Sequence, residues 1–94
     1  HVRALVRDAA KLALQSKQDT NSLIALKHAL EAQAYIDAAR RFATDDQIGK
    51  LANQSTSDVI HGIKKRENAA LKHIFKSCPN LQPNTALLHA TGWI

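Results

Sequence analysis

Glu67 is the residue whose position asks most of its surroundings. At the 100° spacing of an α-helix it falls among Ile60, Ile63, Leu71 and Ile74, in the middle of an apolar face. A buried carboxylate without a partner costs several kcal/mol, so a partner is expected. His28, centred on the apolar face of an earlier helix, is the most economical choice. In a dry pocket such a pair would have shifted pKa values and could handle a proton. The more ordinary outcome is a hydrogen-bonded pair that fixes helix register, or a Glu67 that slides out to Lys64. Tyr35, about two turns beyond His28, offers a further hydroxyl and reads as a core tyrosine.

No other chemistry is well served. Five histidines are present, but none has a second histidine three or four residues away, and His61 and His73 fall on different sides of one helix. A helical metal site needs that spacing, and the Glu-x-x-His pattern of di-iron bundles is absent too. Gly49, Gly62 and Gly92 are too scattered for a phosphate-cradling loop, and Cys78, followed by Pro79, lacks the surroundings of an activated nucleophile. The reading is of a non-enzymatic chain with no metal and no cofactor.

Charge is more informative. Residues 1–63 carry eight Lys or Arg against seven Asp or Glu, whereas residues 64–76 carry five against one, so nearly all of the net charge of +5 sits in one stretch. His61, Lys64, Lys65, Arg66, Lys72 and Lys76 form the expected partner or phosphate-binding surface. Such a patch attracts an acidic protein surface or nucleic acid, although many basic helix faces are simply solvated.

These residues must be positioned by a small scaffold. With 94 residues, 45% of them hydrophobic, the chain is expected to close around one core as a single domain over 1–94. Only 4% are aromatic, so that core must be built from Leu, Ile, Val and Ala, and its thin margin favours association with a protein partner or a second copy. One cysteine cannot form an internal disulfide, which favours a reducing, intracellular compartment. No run approaches the roughly 18 to 20 apolar residues that span a bilayer, and Arg3, Arg7, Asp8 and Lys11 break up any signal-peptide pattern. Beginning at His1, not Met, the sequence is also what a processed product or an excised fragment would give.

Good helix formers dominate and sustained alternation is missing, so the fold class is all-α: a compact bundle of about four helices. The first spans about 2–15, with Val2, Leu5, Val6, Ala9, Leu12 and Ala13 on one face and Arg3, Arg7 and Lys11 on the other. The second, about 22–43, follows a polar link whose Asp19, Thr20, Asn21 and Ser22 can all cap it. It carries one face of Ile24, His28, Ala32, Tyr35, Ala39 and Phe42 and a second strip of Leu23, Leu26 and Leu30. Being apolar on two sides marks it as central, and Ala25, Ala29, Ala32 and Ala39 allow close neighbours. Thr44-Asp45-Asp46-Gln47 fits a capping box for a third helix over 45–53. A hydroxyl of Ser55, Thr56 or Ser57 should cap a fourth over 58–77 that buries Val59, Ile60, Ile63, Ala70, Leu71, Ile74 and Phe75 and stops before Pro79. A short C-terminal helical turn through Leu87, Leu88 and His89 is expected to end at Gly92, with Trp93 and Ile94 folding back over the bundle.

Two resemblances bear on function. Gln47-Ile48-Gly49-Lys50-Leu51-Ala52-Asn53, a short turn, then Ser55-Thr56-Ser57-Asp58-Val59-Ile60 resembles a helix-turn-helix DNA-binding motif within residues 46–64. Ile48, Gly49, Ala52 and Val59 match its apolar or small positions, while Gln54 and Gly62 depart from them. The resemblance implies that Ser55, Thr56, Ser57 and Asp58 would face bases, an edge that is uncharged to acidic. More widely, Gln18-Asp19-Thr20-Asn21, Ala25-Leu26-Lys27-His28-Ala29, Ala34-Tyr35-Ile36, Ala38-Ala39-Arg40, Ala43-Thr44-Asp45 and Cys78-Pro79 are similar to small helical proteins of unknown function from large DNA viruses. That resemblance implies a virion-associated or assembly role and transfers no catalytic residue. The function expected is a structural or protein-interaction module of a larger assembly; the competing class is a nucleic-acid-binding domain using the third and fourth helices.

Overall fold

Four α-helices, and no strand, make up residues 1–77, the part of the chain that the computed structural model describes. They are α1 (Val2–Gln18), α2 (Ser22–Ala39), α3 (Asp45–Ala52) and α4 (Thr56–Ser77). The all-α bundle is therefore the fold, and the capping chemistry shows why the chain breaks where it does. Asn21 accepts hydrogen bonds from the backbone N–H groups of Leu23 and Ile24 at the start of α2. Thr44 and Gln47 close the capping box of α3: the Gln47 N–H donates to the Thr44 hydroxyl, and the Thr44 N–H donates to the Gln47 side chain. Asn53, with φ of 58°, ends α3 in the left-handed region, a conformation that Asn tolerates better than most residues. The Ser55 hydroxyl accepts from the Asp58 N–H and caps α4.

The helix limits differ from expectation at several ends. α1 continues through Ser16, Lys17 and Gln18, three residues beyond the end expected near Gln15. Lys17 faces the negative end of the helix dipole there, and Ser16 is buried, its hydroxyl donating to the Ala25 carbonyl at 2.6 Å. α2 stops at Ala39, not Ala43, because the chain tightens into Arg41 N–H to Ala38 carbonyl and Phe42 N–H to Ala39 carbonyl bonds, a 3₁₀-type turn. α3 ends at Ala52, one residue before the left-handed Asn53, and α4 starts at Thr56, two residues before the expected Asp58.

The core unites Val6 and Ala9 of α1, Ala32, Ile36 and Ala39 of α2, Ile48 of α3 and Ile63 of α4. α2 is central, packed most extensively against α1 and then against α4. Its inner stripe is a correction. Ala25, Ala29, Ala32, Ile36 and Ala39 are the buried residues, whereas Ile24 (46% exposed), Phe42 (64%) and Leu23 (65%) turn outward. A helix that is apolar nearly all round gives no single direction for burial. Close packing then selects its narrowest stripe, because alanines let two neighbouring helices approach where leucines would hold them apart. The expected turn through Leu87 to His89, the stop at Gly92 and the return of Trp93 and Ile94 lie outside the described residues.

Candidate interaction surface

α4 is 22 residues long, and the side facing the core is narrow. Thr56, Ile63, Glu67 and Ala70 are buried, with Val59, Ile60, Leu71, Ile74 and Phe75 half-buried around them. At 100° per residue His61, Lys65, Lys72 and Lys76 fall within an arc of about 60° on the other side, and all four are exposed. They form one positive flank. Lys64 lies on the edge nearer Glu67, close enough to act on its charge. Arg66 is half-buried on the opposite edge, where it lines a depression with Lys17 of α1. Four of the six expected surface residues thus share one face and two border it. No ion pair among the described residues engages any of them.

The expected His28–Glu67 pair does not form. His28 Nδ1 donates to Asp19 Oδ2 across 2.7 Å, both side chains being about one-fifth exposed. Asp19 stands just past the end of α1, so the bond fastens the α1–α2 link to the second turn of α2. Glu67 is buried at 6% exposure, and among the described residues no hydrogen bond or ion pair holds its carboxylate. Burial pushes its pKa above the usual carboxylate range; Lys64 draws it back and Asp37 of α2 adds to the rise. With His28 engaged by Asp19, the two residues do not make a proton-handling pair.

The turn between α3 and α4 packs tightly against α3. A Cβ at Gly49 would stand 3.0 Å from the Gln54 carbonyl oxygen, so the turn passes against the bare backbone of α3. Ile48 is fully buried, and Thr56 is buried with its hydroxyl donating to the Asp45 carbonyl at 2.7 Å. That bond removes Thr56 from the base-facing set. Ser57 and Asp58 are exposed, and the depression where the two helices meet is lined by Asp45, Asp46 and Lys50. This edge carries more negative than positive charge.

A second feature was not singled out by sequence reasoning. Beside α4, an open groove is lined by the apolar Ala13, Leu14 and Val59 and by Gly62, with Lys17, Asp58, Lys65 and Arg66 as its charged residues. Leu14 is 54% exposed although it is a large apolar side chain. The only signal for it was an apolar residue on the side of the first helix that carries Arg3, Arg7 and Lys11. Among the described residues no three His, Cys, Asp or Glu side chains gather into a metal-holding group, and no helix is long and apolar enough to cross a membrane. Comparison of the chain with family models, with curated proteins and with solved structures gave no match.

Proposed function

We propose that this chain is a non-enzymatic interaction module of a larger assembly, and that its partner-facing surface is the outer flank of α4. The observation that carries the reading is the alignment of His61, Lys65, Lys72 and Lys76 on one exposed side of a continuous helix, unpaired with any described acid. A second copy would present the same charge, so contact of like flanks is repulsive and the partner is acidic. On the resemblance to helical proteins of large DNA viruses, that assembly would be a virion. The test is the triple reversal Lys65→Glu, Lys72→Glu, Lys76→Glu, at exposed sites that tolerate change with small stability effects. Anisotropy with labelled poly-glutamate should show binding by the unaltered chain and none by the variant; equal binding by both overturns the reading.

The tight α3–α4 junction supports a second reading, binding of duplex DNA through the helix-turn-helix. Phosphate contacts by Lys65 and Lys72 would make affinity fall steeply with salt, and replacement of either by Ala would lower the log–log slope by about one unit. Absence of duplex or single-strand binding at low salt ends it. Against this reading stand Asp45, Asp46 and Asp58 at the edge that would meet the DNA.

A further inference from the structure

The positive flank of α4 does not end at the helix; across the groove from Lys65 and Arg66 stands one further cation, Lys17 of α1, beside an exposed leucine. Lys17 comes from the last turn of α1, Lys65 and Arg66 from the third turn of α4, and Leu14 lines the same groove with Ala13, Val59 and Gly62. Two properties separate this groove from a merely solvated basic surface. Leu14 leaves half its side chain in water with three cations beside it. Gly62 is exposed, and a Cβ built there meets nothing within 4 Å among the described residues, so packing among those residues does not account for a glycine in the second turn of a 22-residue helix.

We infer that the α1–α4 groove receives a segment of an acidic protein partner that carries a large apolar side chain, which covers Leu14 over the bare backbone at Gly62 while its carboxylates meet Lys17, Lys65 and Arg66. The inference rests on the reading of the α4 flank as the partner surface and names the kind of partner and where it anchors. Charge complementarity fixes the sign of the occupant. The exposed Leu14 favours a peptide over duplex DNA, whose outer surface is charged phosphate and offers no large aliphatic side chain to cover it. Asp58, which also borders the groove, opposes any anion, so the peptide's carboxylates seat toward Lys17, Lys65 and Arg66 and away from it. A chain segment has both parts of the complement within one or two helical turns.

A synthetic amphipathic peptide of about five helical turns, with leucines on one face and glutamates elsewhere, serves as probe, followed by amide chemical shifts of the full chain. Shifts confined to residues 13–17 and 58–66 are expected. Leu14→Ser, which alters an exposed side chain, and Gly62→Leu, which fills the groove from open space, should each weaken binding by about tenfold or more. Replacing the peptide's leucines by serine should do the same. If Lys72→Glu and Lys76→Glu weaken binding while Leu14→Ser and Gly62→Leu do not, the groove inference falls and the reading of the α4 flank stands. If no variant matters, or no binding appears at millimolar peptide, both fall. A DNA duplex that displaces the peptide at physiological salt also overturns the inference and returns the surface to nucleic acid.

Discussion

His28 Nδ1 and Asp19 Oδ2 stand 2.7 Å apart, joining the link after α1 to the second turn of α2. Nine residues separate them in the chain, and a second bond of the same span, Ser16 to the Ala25 carbonyl, lies beside it. Together they hold the antiparallel α1–α2 pair at its closed end. Both are local in sequence, and neither involves α4.

The Asp19–His28 contact is therefore structural, and its removal should act on stability alone. His28→Ala and Asp19→Ala are each expected to cost about 1 kcal/mol, with the double variant costing less than their sum. Thermal unfolding of the four chains measures this. Full additivity would show that the two groups do not interact in solution. Loss of peptide binding by a folded His28→Ala chain would reopen a functional role for the histidine.

Ile36 tests which face of α2 is inside. Ile36→Ala removes a fully buried side chain at the centre of the core and is expected to cost about 2–5 kcal/mol. Ile24→Ala, at 46% exposure, should cost well under half of that. Denaturant unfolding with an unchanged m-value reads the difference. Equal losses at the two positions would place the α2 helix in a different rotation from the one described.

That contrast marks how far the sequence carries. α1 was legible because all its large apolar residues but Leu14 keep to one side: Val6 and Ala9 are buried and Val2, Leu5, Leu12 and Ala13 pack around them, as their spacing predicts. The α3 capping box was legible because Thr44 and Gln47 satisfy each other within four residues. α2 was legible as a central helix but not in rotation, since large apolar residues occur all round it and only the approach of two neighbours selects the alanine stripe. The partner of His28 was missed because Asp19 also qualified as a helix cap, and Asn21 took that place. The α1–α4 groove needs the angle between two helices, which no residue spacing encodes.

Glu67 sets the pH dependence of the α2–α4 contact. Its pKa is raised in the folded chain, chiefly by burial, so the folded state holds this proton more tightly than the unfolded chain does. The sign follows: the protonated form is tolerated at low pH, and stability is lost as pH rises from the ordinary carboxylate range through the raised value. Glu67→Gln keeps the shape and cannot ionise. It is expected to raise the melting temperature at pH 7 and to have little effect near pH 4, where the native side chain is largely protonated in both states. A lower melting temperature at pH 7 would mean that the carboxylate is held by a cation, with Lys64 the first to check.

Gly49 and Gly62 are predicted to respond oppositely to the same substitution. Each is a helical glycine, and replacing glycine by alanine within a helix favours folding by about 1 kcal/mol when nothing stands in the way. At Gly62 nothing does among the described residues, so Gly62→Ala should raise stability by about that amount. At Gly49 the new methyl would sit 3.0 Å from the Gln54 carbonyl oxygen and 3.6 Å from the Ser55 Cα. The obstacle is backbone, held in place by the left-handed Asn53 and by the Gln54 N–H bond to the Gly49 carbonyl, and it cannot rotate aside as a side chain would. Gly49→Ala should consequently lose the helical gain and lower the melting temperature, while Asn53→Gly, which relaxes the left-handed turn, should not. Stabilisation by both alanines would show that the α3–α4 turn stands farther from α3 than described, and the geometric support for the helix-turn-helix reading would go with it.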